Sequence, residues 1–408
     1  MNSSSTGTPG EPQKSKLPKR DWILLPLLCL VTVVVLLTAA ETAALRLFPD
    51  PAIGKGMTLG DCLVNTGMST GMRGIPNTVC HAKLWESPLI EYRFNSCGDR
   101  DDKECHSKPA GTYRIVMLGT STALGWGVPK DKTFGALLPS ELSQKTGHTI
   151  DVYNEAMMYQ SPVNVINRLD EVLAAKPDLI LWTFSPLQPL NPLGELPKGG
   201  HSSEAEFNSN SVLALALHNT RQAFASKSIP HAVHDLWGQL VDSRIQFMLQ
   251  HFSNESKTRY VSSYLKGSEA EFLKTDTYSD EKHALDAFEQ SVVVISERSK
   301  AAGVPLAVAL LPFRAQVAMI SMNDWPAGYD PYRMDNELRA IVERHGATYV
   351  SVLGGYKGTA SPEQFYYPVD GHPTADGHAM LATILAKELT KHSIPGLETA
   401  TQPTGQSE

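Results

Sequence analysis

The chain has 408 residues, of which 42% are hydrophobic and 19% are charged, and its formal net charge is −7. The apolar content excludes a disordered chain, and the acidic excess argues against a nucleic-acid groove, which needs a basic field to neutralise phosphates. The length is sufficient for one large domain or two ordinary ones.

One long apolar segment lies near the N-terminus. Residues 22–40 carry no charge, and as a helix they are long enough to span the hydrocarbon core of a bilayer. Four Lys and Arg residues precede them, and such residues stay on the cytoplasmic side. We therefore predict a cytoplasmic tail over 1–21, a transmembrane helix over 22–44 and a periplasmic or extracellular remainder. A cleaved signal peptide is the alternative, because residues 38–40 resemble a cleavage site.

Four cysteines follow this segment closely: Cys62, Cys80, Cys97 and Cys105. An even number of cysteines in an exported segment indicates two disulfides. Three pairings are possible, and nearest-neighbour pairing is the simplest. A zinc site is the weaker alternative, because no C-x-x-C pair is present and exported thiols are usually oxidised. We expect no metal, and a disulfide-stapled, mostly irregular lead-in over 45–110.

The chain then alternates between short apolar strands and amphipathic helices. Strands are predicted at 113–118, 150–153, 178–184, 305–311 and 347–353. Helices are predicted at 133–143, 163–175, 281–302, 335–345 and 376–391. Alternating strands and helices with short links imply an α/β fold with parallel strands and crossover helices.

Residues 187–280 interrupt this alternation. They begin with a stretch rich in Pro and Gly, and they continue into helical segments such as 233–252. We interpret them as a mainly helical insertion that caps the site, within a domain over 111–392. The polar residues 393–408 are predicted to be a disordered tail.

The first predicted strand leads directly into Gly119, Thr120 and Ser121. A serine just past the C-terminal end of the first strand of an open parallel sheet lies where such sheets bind ligands. Gly119 allows a tight turn that points the side chain outwards, and the N–H groups of a helix starting there would face a developing anion. A plain turn followed by a helix cap is the alternative. Phosphate-loop, dinucleotide and G-x-S-x-G motifs are absent from this turn.

A candidate partner lies in the loop before the last predicted helix, where Asp370 and His372 are two residues apart. A histidine beside a carboxylate can act as a base with an orienting acid. A solvated loop histidine is the alternative. His378 does not share a helix face with His372, which disfavours a metal pair.

Three segments, taken in order, resemble the signature blocks of the SGNH hydrolases, the GDSL esterase superfamily. Residues 114–134 are similar to the first block, 152–156 to the second and 370–373 to the last, and 92–98 resemble the lead-in of exported bacterial members. The resemblance implies a flavodoxin-like three-layer α/β/α sandwich with about five parallel strands. Here that fold would be joined to the N-terminal transmembrane helix and the insertion.

The resemblance also implies roles for individual residues. Ser121 would be the nucleophile, His372 its general base and Asp370 the acid that orients the imidazole. The backbone N–H groups of Ser121 and Ala156 would stabilise the oxyanion. Gln188 would replace the asparagine that the family's third block usually supplies, since its amide also donates.

This chain departs from the family pattern at Thr120, where the family has Asp, and at Ala156, where it has Gly. The third-block asparagine is missing, and Asn191 is a more distant substitute for it than Gln188. Loss of one oxyanion donor typically costs about 10²–10³ in rate.

Three functions follow as hypotheses. The first is an SGNH-type serine esterase without a cofactor that acts outside the membrane on O-acyl esters, either acylated cell-envelope glycan or small esters. The second is an O-acyltransferase that uses the same triad. The third is a catalytically inactive SGNH-like module that binds glycan or serves as a scaffold.

Overall fold

The structure is a computed structural model that describes residues 18, 20–48, 58–67, 69–190, 244–276 and 279–399. Its first elements in chain order are α1 (Asp21–Leu47), β1 (Leu63–Asn65), β2 (Met72–Gly74), β3 (Val79–Ala82), β4 (Ile90–Arg93), β5 (Tyr113–Leu118), α2 (Ser121–Leu124), α3 (Phe134–Thr146), β6 (Ile150–Asn154), α4 (Pro162–Ala174) and β7 (Leu179–Phe184). The remaining elements are α5 (Arg244–Asn254), α6 (Lys257–Tyr264), α7 (Ser279–Ala301), β8 (Leu306–Leu310), α8 (Arg314–Met322), α9 (Arg333–Arg344), β9 (Thr348–Tyr349) and α10 (Ala375–Leu389).

The central sheet contains five parallel strands in the order β6-β5-β7-β8-β9. Counted along the chain this is the order 2-1-3-4-5, which is the flavodoxin-like arrangement. The prediction of an α/β fold with five parallel strands is confirmed. The strand order reverses beside β5, and ligands of such sheets bind at that point, outside the carboxyl ends of the strands.

Two hydrophobic cores cover the two faces of this sheet. Successive residues of β5 alternate between them: Val116 and Leu118 pack in one core, and Ile115 and Met117 pack in the other. Helices α4, α7 and α9 cover the first face, and α3 and α10 cover the second. Because both faces are buried, the strands appear in the sequence as continuous apolar runs.

The fifth strand is much shorter than predicted. Only Thr348 and Tyr349 belong to β9, although the apolar run continues to Leu353. The N–H of Val350 still donates to Val308 O at 2.8 Å, and a 3₁₀ turn over Leu353–Tyr356 follows soon afterwards. The later apolar residues are buried in the core beneath the sheet instead of extending the ladder.

The lead-in is more ordered than predicted. Strands β1 and β2 form one antiparallel pair and β3 and β4 form another, each only three or four residues long. Such short ladders leave little periodic signal in the sequence. The structure pairs the cysteines as nearest neighbours, Cys62 with Cys80 and Cys97 with Cys105, with Cα–Cα distances of 6.2 and 5.4 Å.

In the described part of the lead-in, two of the three side chains that could hold a metal ion belong to a disulfide. The side chains of Cys97, Cys105 and His106 lie within 4.8 Å of one another, which suits a metal ion by distance alone. Because the two sulfurs form a disulfide, they cannot act as thiolate ligands.

Helix α1 is long and apolar enough to cross a membrane, and its length and composition suit both an anchor and a signal sequence. Its C-terminal end contacts α5: the carboxylate of Glu41 accepts hydrogen bonds from the backbone N–H groups of Arg244 and Ile245 at 3.4 and 3.3 Å. Most of the predicted insertion, residues 191–243, lies outside the described residues, as do the first 17 residues and the end of the tail. Export and orientation stay predictions.

Candidate active site

The structure brings Ser121 and His372 together, although 251 positions separate them. Ser121 follows β5 at the carboxyl edge of the sheet, and its Oγ lies 2.7 Å from His372 Nε2. The other ring nitrogen, Nδ1, lies 2.7 Å from Asp370 Oδ1. Because a carboxylate only accepts, Nδ1 carries the proton and Nε2 is left to accept the proton of Ser121.

Gly119 shapes the turn before Ser121 through lack of space and not through an unusual backbone angle. A Cβ at Gly119 would lie 2.6 Å from Ala123 Cβ and 2.9 Å from Thr183 O. The N–H of Gly119 donates to Gln160 Oε1 at 3.1 Å. The turn is therefore packed directly against β7, and any side chain at position 119 would displace it.

Helix α2, which begins at Ser121, is only a single turn. Gly125 ends it with a φ of +87°, a left-handed conformation that glycine adopts at low cost. A helix this short contributes little dipole, so the prediction of anion stabilisation there depends on individual N–H groups. Within the described part of the chain, the Ser121 N–H has no hydrogen-bond acceptor.

The short Asp370-x-His372 spacing works because of the glycine between the two residues. Gly371 has a φ of +80°, and the N–H of His372 donates to Asp370 Oδ1 at 3.2 Å. The chain therefore turns back on itself, and one carboxylate oxygen contacts both the backbone and the ring of the histidine. The side chains of Asp370 and His372 are 14% and 24% exposed, so the pair is partly screened from water.

Trp126 contacts this pair in a way that sequence patterns do not reveal. Its indole Nε1 donates to Asp370 Oδ2 at 3.3 Å, and its ring meets the imidazole of His372 edge to face, with centroids 6.5 Å apart. Both carboxylate oxygens of Asp370 are therefore occupied by donors, which restricts rotation of the carboxylate.

Arg100, in the lead-in, holds the loop that follows Ser121. Its guanidinium donates to the carbonyl oxygens of Leu124, Gly125 and Val128 at 2.8, 2.7 and 2.9 Å. The same group lies 4.0 Å above the ring of Tyr92, and the arginine is 1% exposed. Burial lowers the pKa of Arg100. The sequence provided no signal for this contact, because carbonyl acceptors belong to every residue type.

The two other oxyanion donors expected from the sequence already have acceptors in the structure. The N–H of Ala156 donates to Asn154 Oδ1 at 3.0 Å. The amide nitrogen of Gln188 donates to Gln160 O, and its Oε1 accepts from Ser185 N at 2.9 Å. The single N–H of Ala156 must release its present acceptor before it can bind an oxyanion, whereas the amide nitrogen of Gln188 carries a second N–H. Asn191 lies outside the described residues.

Glu155, the neighbour of Ala156, is a buried acid at the same edge of the sheet. Burial, with the charge of Asp99 as a second cause, raises the pKa of Glu155 to about 8. Arg168 lies 3.7 Å from its Oε2 and acts in the opposite direction. The buried position of Glu155 therefore disfavours a negative charge beside Ala156.

His378 differs sharply from His372, although both come from the same stretch of sequence. It is fully buried, its Nδ1 accepts from Phe134 N at 3.1 Å, and its ring stacks on Phe134. Burial lowers the pKa of His378 to about 3, and the charges of Arg100 and His372 contribute in the same direction. His378 is a neutral core residue that fastens α10 to α3.

Comparison with known proteins finds matches among solved structures alone. No family model matches the sequence, and no curated protein matches it. Three similar structures are psychrotrophic esterase EstA from Pseudoalteromonas sp. (11% identity, TM-score 0.35), a lipase/acylhydrolase from Enterococcus faecalis (12%, 0.33) and a member of the lipolytic protein G-D-S-L family from Veillonella parvula (10%, 0.32). Each alignment covers 68% of this chain, and 97%, 95% and 99% of those chains respectively.

Proposed function

We propose that this protein is a serine ester hydrolase in which Ser121 is acylated during each turnover. One observation carries the proposal: Ser121, His372 and Asp370 form a continuous hydrogen-bonded chain, with both links 2.7 Å long. These three hydrogen-bonded side chains lie at the edge where sheets with this strand order bind ligands. A hydroxyl, an imidazole and a carboxylate in that order are the parts needed for acyl transfer through a covalent intermediate.

The proposed reaction has two steps. Ser121 Oγ attacks the ester carbonyl while His372 Nε2 takes the hydroxyl proton, and His372 then gives this proton to the departing alcohol. In the second step water attacks the acyl-serine, His372 takes a proton from the water, and Ser121 regains its hydrogen as the carboxylic acid leaves. Asp370 keeps the imidazole in the required tautomer and stabilises its protonated form.

We propose the Ser121 N–H as the first oxyanion donor, because it has no acceptor within the described residues. Ala156 and Gln188 remain candidates for the second and third donors. The N–H of Ala156 exchanges an internal acceptor for the oxyanion, so we expect a slower acylation than a site with free donors would allow.

The proposed substrate is an O-acyl ester outside the cytoplasmic membrane, either on cell-envelope glycan or in a small molecule. Helix α1 as an anchor would hold the domain beside the membrane, since Glu41 near its end caps the start of α5. The proposal assigns no cofactor and no nucleic-acid partner.

The test uses the full-length chain in detergent micelles, with p-nitrophenyl acetate as substrate and a fluorophosphonate as a probe of the nucleophile. We expect the wild type to hydrolyse the ester and to be labelled, and Ser121→Ala to lose both properties, because no other group replaces the nucleophile. The matched control is Ser140→Ala, which removes an exposed hydroxyl from α3 and should change neither. Equal hydrolysis by wild type and Ser121→Ala would remove Ser121 from the mechanism.

A second function, that of a non-catalytic ester- or glycan-binding module, is favoured by one observation. The N–H of Ala156 and the amide of Gln188 are both engaged in internal hydrogen bonds. If this function is correct, the folded wild type will neither hydrolyse p-nitrophenyl acetate nor react with the fluorophosphonate. The wild type and Ser121→Ala will then bind acetylated glycan equally well.

A further inference from the structure

A buried glutamate from the lead-in contacts the loop that carries Asp370. Glu86 lies in the link between β3 and β4, and its side chain is 2% exposed. Its Oε2 accepts from the N–H of Asp370 at 2.9 Å and from the N–H of Val369 at 3.1 Å, and its Oε1 accepts from Val369 N at 3.0 Å. One carboxylate thus holds the backbone of two successive residues.

The same carboxylate has a second partner, from the insertion. His251, on α5, places Nδ1 2.6 Å from Glu86 Oε1, and its own ring packs edge to face against Phe48 and Phe252. Three segments that are distant in the sequence therefore meet at Glu86: the lead-in, the insertion and the loop before α10.

Helix α5 also contacts the loop directly. Asn254 Nδ2 donates to Pro368 O at 2.8 Å, and Arg314 Nη1 donates to the same oxygen at 3.2 Å. The loop is therefore held by its carbonyl at position 368 and by its N–H groups at 369 and 370. These contacts define the path of the backbone up to the residue whose carboxylate orients the imidazole.

We propose that Glu86 and His251 are positioning residues for the Asp370–His372 pair, which makes the lead-in and the insertion integral parts of the active site. This inference rests on the proposed function. Glu86 contacts only the backbone of Asp370, so its effect passes through the position of that residue. Misplacement of a reacting group by about 1 Å can cost about 100-fold in rate. The Nδ1–H of His251 donates to this buried carboxylate and so fixes its orientation.

The test compares Glu86→Ala with Glu86→Gln in the full-length chain, using kcat and KM for p-nitrophenyl acetate and the thermal midpoint. We expect Glu86→Ala to lower kcat by about 100-fold with little change in KM, because the site loses alignment and not substrate contacts. Glu86→Gln should recover part of this loss, since its amide oxygen can still accept from Asp370 N. His251→Ala should lower kcat less than Glu86→Ala, and His251→Gln, which keeps a donor, should recover activity.

The matched controls are Glu289→Ala and Glu289→Gln. Glu289, on α7, also pairs with a histidine, but this is His345 at 2.8 Å, the residue that follows α9, and its second partner is Arg344 and not the loop. We expect these controls to keep the wild-type kcat whatever they do to the thermal midpoint.

A kcat for Glu86→Ala within twofold of the wild type would overturn the inference, and so would a loss that appears in KM alone. If Glu86→Ala does not fold, Glu86→Gln decides: a lowered kcat at a wild-type thermal midpoint supports the inference, and a wild-type kcat overturns it. Failure of the proposed function is separate, because it would show as full activity in Ser121→Ala or as no hydrolysis by the wild type.

Discussion

The central sheet and the lead-in contribute to the candidate site in opposite ways. The sheet and the loops at its carboxyl edge supply the reacting groups, Ser121, His372 and Asp370. The lead-in supplies none of these groups, yet its Arg100 and Glu86 bind the backbone on either side of the site, after Ser121 and before His372. The comparison teaches that the short, disulfide-linked segment is a support for the site and not merely a connection to the membrane helix.

The two regions also differ in the kind of bond they use. Within the sheet region, functional side chains contact one another. The lead-in side chains Arg100 and Glu86 contact the site through backbone carbonyl and N–H groups, which nearly every residue of the chain carries. Changes in the first region should therefore affect chemistry most strongly, and changes in the second should affect stability or alignment.

The largest effect is expected for Asp370→Asn, in the region that supplies the reacting groups. An amide at this position can present its NH₂ to His372 and so favour the wrong imidazole tautomer, for which a loss of about 10⁴ in kcat is the precedent in serine enzymes. Hydrolysis of p-nitrophenyl acetate by the full-length chain measures it. Asp376→Asn, an exposed acid on the first turn of α10, is the matched control and should retain activity. A loss of less than tenfold in Asp370→Asn would separate Asp370 from the chemistry.

A smaller effect, mainly on stability, is expected for Arg100→Met in the lead-in. This change removes the guanidinium donor from the carbonyl groups of Leu124, Gly125 and Val128, of which only Gly125 O keeps other donors among the described residues, so we expect a loss of about 3 kcal/mol in the free energy of unfolding. Urea denaturation of the full-length chain in detergent measures it. The control is Arg93→Met on β4, where the side chain is 54% exposed and should matter little. Equal stability of the two variants would contradict the supporting role of the lead-in.

The smallest effect is expected for His378→Gln, and it depends on pH. The pKa of His378 is about 3 in the folded protein, so below about pH 6.5 the unfolded chain binds a proton that the folded chain does not. Stability therefore falls as the pH falls from 6.5 towards 3, by about 2 kcal/mol between pH 7 and pH 5. Glutamine can still accept from Phe134 N but does not titrate, so the variant should lose less stability over this range.

Thermal unfolding at pH 7 and pH 5 compares this variant with the wild type. His148→Gln, which changes an exposed histidine, is the control and should show the wild-type difference in thermal midpoint between the two pH values. The same difference in His378→Gln as in the wild type would show that His378 does not cause the loss of stability in acid.

Much of the core could be predicted because burial on both faces of a parallel sheet produces apolar runs, and α3, α4, α7, α9 and α10 all lie close to their predicted positions. The end of β9 could not be predicted, because residues buried beside the sheet are as apolar as residues buried within a strand. The role of Gly119 could be predicted only in part from the sequence. Its small size was expected to permit a turn, whereas the structure shows that the approach of β7 excludes a Cβ.

In the candidate site, too, some features could be predicted from the sequence and others could not. Ser121, Asp370 and His372 could be selected because each lies in a short motif next to a strand or helix boundary, and their catalytic roles stay proposals. Ala156 and Gln188 were selected in the same way, but their donors contact Asn154 and Gln160 in the structure. Local sequence does not reveal which acceptor a donor will meet.

The sequence by itself determined the order and type of the core elements and the α/β class, along with the short motifs that bear the reacting groups. These properties follow from residue spacing, which acts over a few positions. Only the tertiary structure decided that His372 accepts from Ser121 while His378 is buried, and that Glu86 and Arg100 hold the two sides of the site. Those contacts join residues tens to hundreds of positions apart, and they form only after the sheet has brought its carboxyl edge together.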